Sequence, residues 1–322
     1  MKNLTLMKSI DRSLSRLSLI LVPLLFACME IPDRAQAVNP PPDGGYPSGN
    51  TAEGHNAVFS LTSGGYNTAV GFFSLFSNTT GNFNTAVGAG ALDLNTADYN
   101  TATGAAALLL NTTGHNNTAV GVRALGSNST GSFNTAAGVN SLGSNTTGLA
   151  NTATGNSALA SNDTGNFNTA VGQIALWFNT SGSGNTAIGD EALLNNTTAG
   201  DNTATGFAAL HENTTGDSNT AIGPESLYSN TEGSSNIAIG PQALSSNTTG
   251  NENTTIGYQA LAFNLTGSSN RAIGIYALSD STGNSNTALG QRAGGGVTTA
   301  DNVICIGTSG ANVSNSCYRR YC

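Results

Sequence analysis

From residue 50 onward, apolar and polar positions fall into one pattern that returns about every 17 residues, NTAxGxxALxxNTTGxx in one-letter code. With positions counted from 1 to 17, an Asn opens each unit, at 50, 67, 84, 100, 117, 134, 151, 168, 185, 202, 219, 236, 253, 270, 286 and 302. Every step is 17 except three of 16. Position 4 is β-branched at Val70, Val87, Val120, Val171, Ile188, Ile222, Ile239, Ile256 and Ile273. Position 9 is Leu without a break from Leu75 to Leu278, including Leu92, Leu125, Leu176, Leu193, Leu227, Leu244 and Leu261. A fixed period of this size is the signature of a solenoid, in which each repeat packs on the next.

Each unit is too short, and too rich in Gly, Asn and Thr, for a pair of helices. The pattern predicts an all-β parallel solenoid of about sixteen coils with two short strands each, at positions 1–5 and 7–11. Gly at position 5 turns one corner and positions 12–15 turn the other, because Gly and Asn accept left-handed backbone. Pro224 and Pro241 fit, since both occupy position 6, just past the corner, where a missing ladder N–H does least harm. Strand alternation sends positions 3 and 4 to opposite faces, and likewise 8 and 9. The bulky columns at 4 and 9, the eighteen residues just named, are expected to form a dry interior. The small columns at 3 and 8, almost all Ala or Ser, are then expected outside, as a close-packed contact between copies. Two bulky side chains per coil do not offset the ordering of a whole coil, so further burial in a homo-oligomer is expected.

The Asn columns at positions 1 and 12 have a stacking explanation. Identical amides about 4.8 Å apart can bond up and down as ladders. On this reading the many Asn-x-Thr/Ser triplets are turn chemistry and not glycosylation signals. Thr replaces the apolar residue of position 4 at Thr103, Thr154 and Thr205, spaced 51 apart, which points to duplication of a three-coil block. Sixteen coils at this rise would make a rod roughly 75 Å long.

The ends differ from the array. Residues 1–37 read as a signal peptide, with Lys2, Lys8, Arg12 and Arg16 before an apolar run at 17–28, and Ala35-Gln36-Ala37 as cleavage site. A second reading makes Leu25-Phe26-Ala27-Cys28 a lipoprotein box that lipidates Cys28. Either way the chain is expected to leave the cytoplasm. Residues 38–49 form a Pro/Gly linker, 50–307 the array and 308–322 a tail. Beyond residue 37 the chain keeps five Arg against fifteen Asp and Glu, a net of −10. That balance argues against nucleic acid, which needs phosphate neutralisation, and against anionic membranes. Cys305, Cys317 and Cys322 cluster at the end, and secretion permits one disulfide that leaves a third thiol.

The runs NTAVG, NTAIG (from Asn185 and Asn219), NIAIG (from Asn236) and NVICIG (from Asn302) resemble the SVAIG-type repeats in the heads of trimeric autotransporter adhesins, the YadA head being the best-known kind. The resemblance covers roughly residues 50–307. It implies a left-handed parallel β-roll, a homotrimer, and a head that projects from the bacterial outer membrane to bind host or matrix surfaces. The unit here is longer than the usual head repeat. The family's coiled-coil stalk and membrane β-barrel have no counterpart, so no transmembrane anchor is expected in this chain. Similar repeats occur in phage-like fibres.

No enzyme constellation emerges, and no metal or cofactor is expected. His55, His115 and His211 fall at positions 6, 16 and 10, so they do not line up and are expected to be solvated or turn residues. No Ser lies in a Gly-x-Ser-x-Gly elbow, and Gly294–Gly296 lack the Lys of a phosphate loop. Tyr66, Phe83, Tyr99, Phe133 and Phe167 each precede an opening Asn and are expected to stack as a stripe. Phe72, Phe73, Trp177, Phe178 and Tyr228 fall at variable positions and are the candidate surface contacts. The expected function is therefore non-catalytic attachment by a secreted, adhesin-like protein. The alternatives are a structural or phage-tail-like fibre and an ice-binding solenoid built on the Thr columns at positions 2, 13 and 14. Against the last, the position-2 Thr shares a side with position 4, taken here as the interior.

Overall fold

The structure, a computed structural model, describes residues 46–307 and 316–319. The signal segment with Cys28, most of the linker and most of the tail with Cys322 lie outside the described residues. Sixteen short strands, from β1 (Thr51–Glu53) to β16 (Val303–Ile306), follow one another along the array, and β17 (Ser316–Arg319) comes last. Each of the first fifteen pairs in parallel with the next, one coil on, and the register is kept throughout: Thr68 faces Thr85, Ala69 faces Ala86 and Val70 faces Val87. The chain is a parallel β-solenoid with one strand per coil, covering positions 2–4.

The expected second strand at positions 7–11 does not form. Positions 7 and 9 take left-handed backbone, with φ of 55° at Phe73 and 50° at Leu75, and this recurs coil after coil. Left-handed backbone in a Leu costs about 1–2 kcal/mol. The stack still uses its backbone bonds here: the Phe73 N–H donates to the His55 carbonyl one coil back (3.1 Å), and the Leu75 N–H donates to the Ala91 carbonyl one coil on (3.0 Å). Because this segment is not a strand, alternation fails, and positions 8 and 9 both turn inward. Ala91 and Leu92 are both fully buried, as are Ala175 and Leu176.

The interior is thus built from Ala at 3, Ala or Ser at 8 and Leu at 9. Leu75, Leu92, Leu125, Leu176, Leu193, Leu227, Leu244, Leu261 and Leu278 are buried as expected. Position 4 is the reverse of its expectation. Val70, Val87, Val120, Val171, Ile188, Ile222, Ile256 and Ile273 are exposed, Val120 by 46%, and Ile239 is half-exposed. Their neighbours at position 3, Ala in each case but Thr255, have no exposure at all. The expected alternation holds, and the choice of inner face was inverted. A coil that closes within 17 residues already holds a Leu and two Asn side chains, and only a small side chain fits beside them: Ala in nearly every coil, Thr255 and Cys305 in two. The small-residue columns are therefore interior and make no contact between copies.

The two Asn columns are buried ladders. At position 1, the Asn84 N–H donates to Asn67 Oδ1 (2.9 Å), while Asn67 Nδ2 donates to the Gly81 carbonyl across the coil (2.8 Å). At position 12, Asn128 Nδ2 donates to Asn111 Oδ1 (2.7 Å) and to the Gly131 carbonyl (2.8 Å). The second ladder stops where Ser281 takes the Asn place, and Asn264 Oδ1 is left buried without a partner. Gly at position 5 is required by contact as well as by conformation. Gly71 has φ 131°, and a Cβ on it would lie 2.7 Å from the Gly88 carbonyl carbon.

The last coil corrects the opening-Asn count. Val303, not Asn302, takes the buried position 1, its N–H donating to Asn286 Oδ1 (2.9 Å), while Asn302 takes the left-handed position 17 with φ 58°. The final step is therefore 17, and Cys305 falls in the Ala column opposite Ala288. β17 pairs antiparallel with β16, and a disulfide joins Cys305 to Cys317.

Candidate functional site

With position 3 inside, positions 2 and 4 point outward together and make two columns on one sheet face. Position 2 carries Thr in nearly every coil, broken by Ile237, Arg271 and Ile304. Position 4 carries Val, Ile or Thr in most coils, and the three outward Thr, Thr103, Thr154 and Thr205, give Thr-x-Thr at every third coil. Glu53 and Arg271 are the only charges on these two columns among the described residues, although the chain is strongly acidic. The acidic residues of the other coils all lie elsewhere on the circumference.

The Thr columns divide by what their hydroxyls do. At position 13 the hydroxyl is spent inside the protein: Thr112 Oγ1 donates to the Ser129 carbonyl (2.9 Å), and Thr214 Oγ1 to the Thr231 carbonyl (2.9 Å). At position 2 no Thr hydroxyl has a protein hydrogen-bond partner among the described residues. Sequence periodicity makes both columns visible and does not tell them apart.

The expected aromatic stripe is present in part. Tyr66, Phe83 and Tyr99 stack at centroid separations of 5.1 and 5.3 Å, while Phe133 meets His115 edge-on. The candidate contacts Phe72, Phe73, Trp177, Phe178 and Tyr228 are all half-buried. They do not form one site. Phe72, Phe73 and Phe76 pack on one another, Trp177 stacks on Phe178, and Tyr228 stacks on His211 (4.9 Å).

His211 is a turn residue, as expected, and its ring is largely covered. Its side chain is 12% exposed, with Nδ1 3.0 Å from Glu212 Oε1 and Nε2 3.6 Å from Glu191 Oε2. Glu191, Phe207, Glu225, Tyr228 and Gln242 line a shallow cleft of about 360 Å³ beside it. Partial burial, then the carboxylates of Glu212, Glu191 and Glu225, push the Tyr228 hydroxyl pKa up. Gln242 donates to Glu225 (2.7 Å), so the cluster ties neighbouring coils together. Among the described residues no group of three or more His, Cys, Asp or Glu could hold a metal, and no helix is long and apolar enough to cross a membrane.

Asp93, at position 10, is a second polar anomaly. Burial pushes its pKa up to about 6, and Oδ1 is buried without a partner. A raised folded pKa means that the penalty is present above about pH 6 and is relieved as pH falls toward the unfolded value of 3.8. Asp93→Asn is therefore expected to raise stability at pH 7.5, by of order 1 kcal/mol after allowance for its partial exposure, and to change it little at pH 4. Urea unfolding at the two pH values checks this.

No protein-family model matches the chain, and no curated protein matches it at a significant level.

Proposed function

We propose that this chain is a secreted, non-catalytic attachment protein of the adhesin type, which meets its target through the outward columns at positions 2 and 4. The observation that carries this reading is a long array of exposed Val and Ile beside exposed or half-buried Thr, on a face nearly free of charge. Extended exposed apolar surface on a protein is characteristic of contact sites. A solenoid suits the task, because it repeats one weak contact many times in fixed register. The resemblance to adhesin heads points to a host or matrix surface as the target and to the cell surface as the location.

The test is adhesion of the purified chain to immobilised cells, matrix and uncharged particles, against Val120→Lys/Val171→Lys/Ile188→Lys. Loss of adhesion with an unchanged melting curve is expected. Equal adhesion by both proteins would remove the face from the account.

A second reading is favoured by the same exposed Val and Ile column, namely that the face joins copies of this chain as the homotrimer of the resembled family. It expects a solution mass of three times 32.3 kDa for the full chain, falling to one in the lysine variant. The first reading expects a monomer in both. Sedimentation equilibrium separates them.

A further inference from the structure

The hydroxyls of the position-2 threonines define what the face can contact. Most coils place one unpartnered Thr on this face with a Val, Ile or Thr two residues on; Ile237, Arg271 and Ile304 interrupt the first column and Glu53, Ala137 and Leu289 vary the second. In-register pairing repeats this unit about every 4.8 Å across the sheet, and the two columns are about 6.6 Å apart along the strand. The result is a two-dimensional grid of hydroxyls and methyls on a hydrogen-bonded scaffold. The three Thr-x-Thr coils belong to it.

Water at such a grid has few choices. A hydroxyl fixes one water by hydrogen bonding, while the neighbouring methyls leave adjacent waters to bond among themselves. Ordering imposed at one coil is repeated at the next. The spacing is close to the repeat of oxygens along the a axis of hexagonal ice. We infer that the Thr/Val face binds ice, holding a layer of lattice-like water between the threonine grid and the crystal. The inference rests on the reading of that face as the attachment surface and gives it ice as the target in place of a host or matrix surface.

Charge complementarity supports ice over a protein or a cell envelope. The face is neutral but for Glu53 at its first coil and Arg271 near its end, while the rest of the circumference is acidic. An uncharged lattice is matched by this face and gives the other faces nothing to bind. A protein partner would also have to desolvate the unpartnered hydroxyls one by one, each a buried donor in need of an acceptor. Ice keeps every one of them hydrogen-bonded. The objection that position 2 shares a side with the interior fails, because position 4 is outside.

The experiment uses the purified full chain with a fluorescent label, in ice-adsorption and thermal-hysteresis measurements. The variants are Thr152→Lys/Thr186→Lys on the face and Gln173→Lys on an exposed position off it. Expected are adsorption to a growing ice hemisphere and faceted crystals, with the adsorbed fraction down about tenfold in the face variant, as when central contacts of an interface are lost. Gln173→Lys should match the wild type, and all three should melt alike by circular dichroism. A wild type that ignores ice overturns the inference. If that protein still adheres elsewhere in a face-dependent way, the attachment reading survives; if it adheres to nothing, both fall. Ice adsorption undiminished by the face substitutions, or a trimer that hides the face, also overturns the inference.

Discussion

Ala170→Phe is expected to destabilise the array by about 3 kcal/mol or more, while Val171→Phe, one residue on, leaves the melting curve nearly unchanged. Ala170 has no exposed surface, lies in register between Ala153 and Ala187, and faces an interior already filled by Leu176 and the Asn ladders. A phenyl ring there has no volume to enter. To make room, the coil must pull its strand away from its two neighbours, which breaks ladder bonds on both sides. In a stacked array such damage passes to adjacent coils through the interfaces they share. Val171 is 37% exposed on the opposite side of the same strand, and a larger ring can extend into solvent. Hydropathy alone ranks these two sites the other way round. Urea denaturation of both variants measures the difference, and equal destabilisation, or greater damage from Val171→Phe, would refute the inside-out assignment.

The origin of that inversion says how far the sequence could be read. The 17-residue period, the parallel stacking, the corner at Gly71 and its equivalents, and the two Asn ladders follow from repetition and turn chemistry, and all are present. Alternation at positions 3 and 4 was also legible. Which face turns inward was not, because that depends on the lumen width, and width depends on how tightly positions 5–15 close. The pattern also hides the left-handed residues at 7 and 9: Leu75 and Leu176 look like strand residues, since nothing local asks a Leu for positive φ. The stack imposes it by offering carbonyls on both sides of the segment. The same limit hid the contact face. A Val column reads as core wherever the alternative core is only alanine. In the His211–Tyr228–Glu191 cluster, the stack of His211 on Tyr228 follows from the period, since both take position 10 in consecutive coils, but Glu191 comes from position 7 of a third coil and joins them only once the coils are stacked.

The buried amides make the second large prediction. Asn151→Leu is expected to cost about 3–5 kcal/mol, although it replaces a polar core residue by an apolar one of similar size. Asn151 Oδ1 accepts from the Asn168 N–H (2.9 Å) and from Asn168 Nδ2 (3.2 Å), and its own Nδ2 donates to Asn134 Oδ1 (3.2 Å) and the Gly165 carbonyl (2.8 Å). The substitution removes all four bonds. Asn168 Nδ2 keeps the Gly182 carbonyl, and Gly165 keeps Asn162, but the Asn168 backbone N–H is left buried with no acceptor. Asn156→Leu, at an exposed position five residues on, should change stability by less than about 0.5 kcal/mol. Asn151→Asp separates hydrogen bonding from packing. The carboxylate can accept from Asn168, but it sets a negative oxygen against two acceptors, Asn134 Oδ1 and the Gly165 carbonyl. Burial and this opposition both raise the pKa of the new carboxyl above its unfolded value of about 3.9. Its penalty is then full above the raised pKa and shrinks as pH falls, because the protonated acid can donate once more. Asn151→Asp should therefore lie closer to wild type at pH 4 than at pH 8, while the deficit of Asn151→Leu stays constant. If Asn151→Leu were neutral at both pH values, leucine and alanine packing alone would hold the coils together, and the amide columns would be passengers.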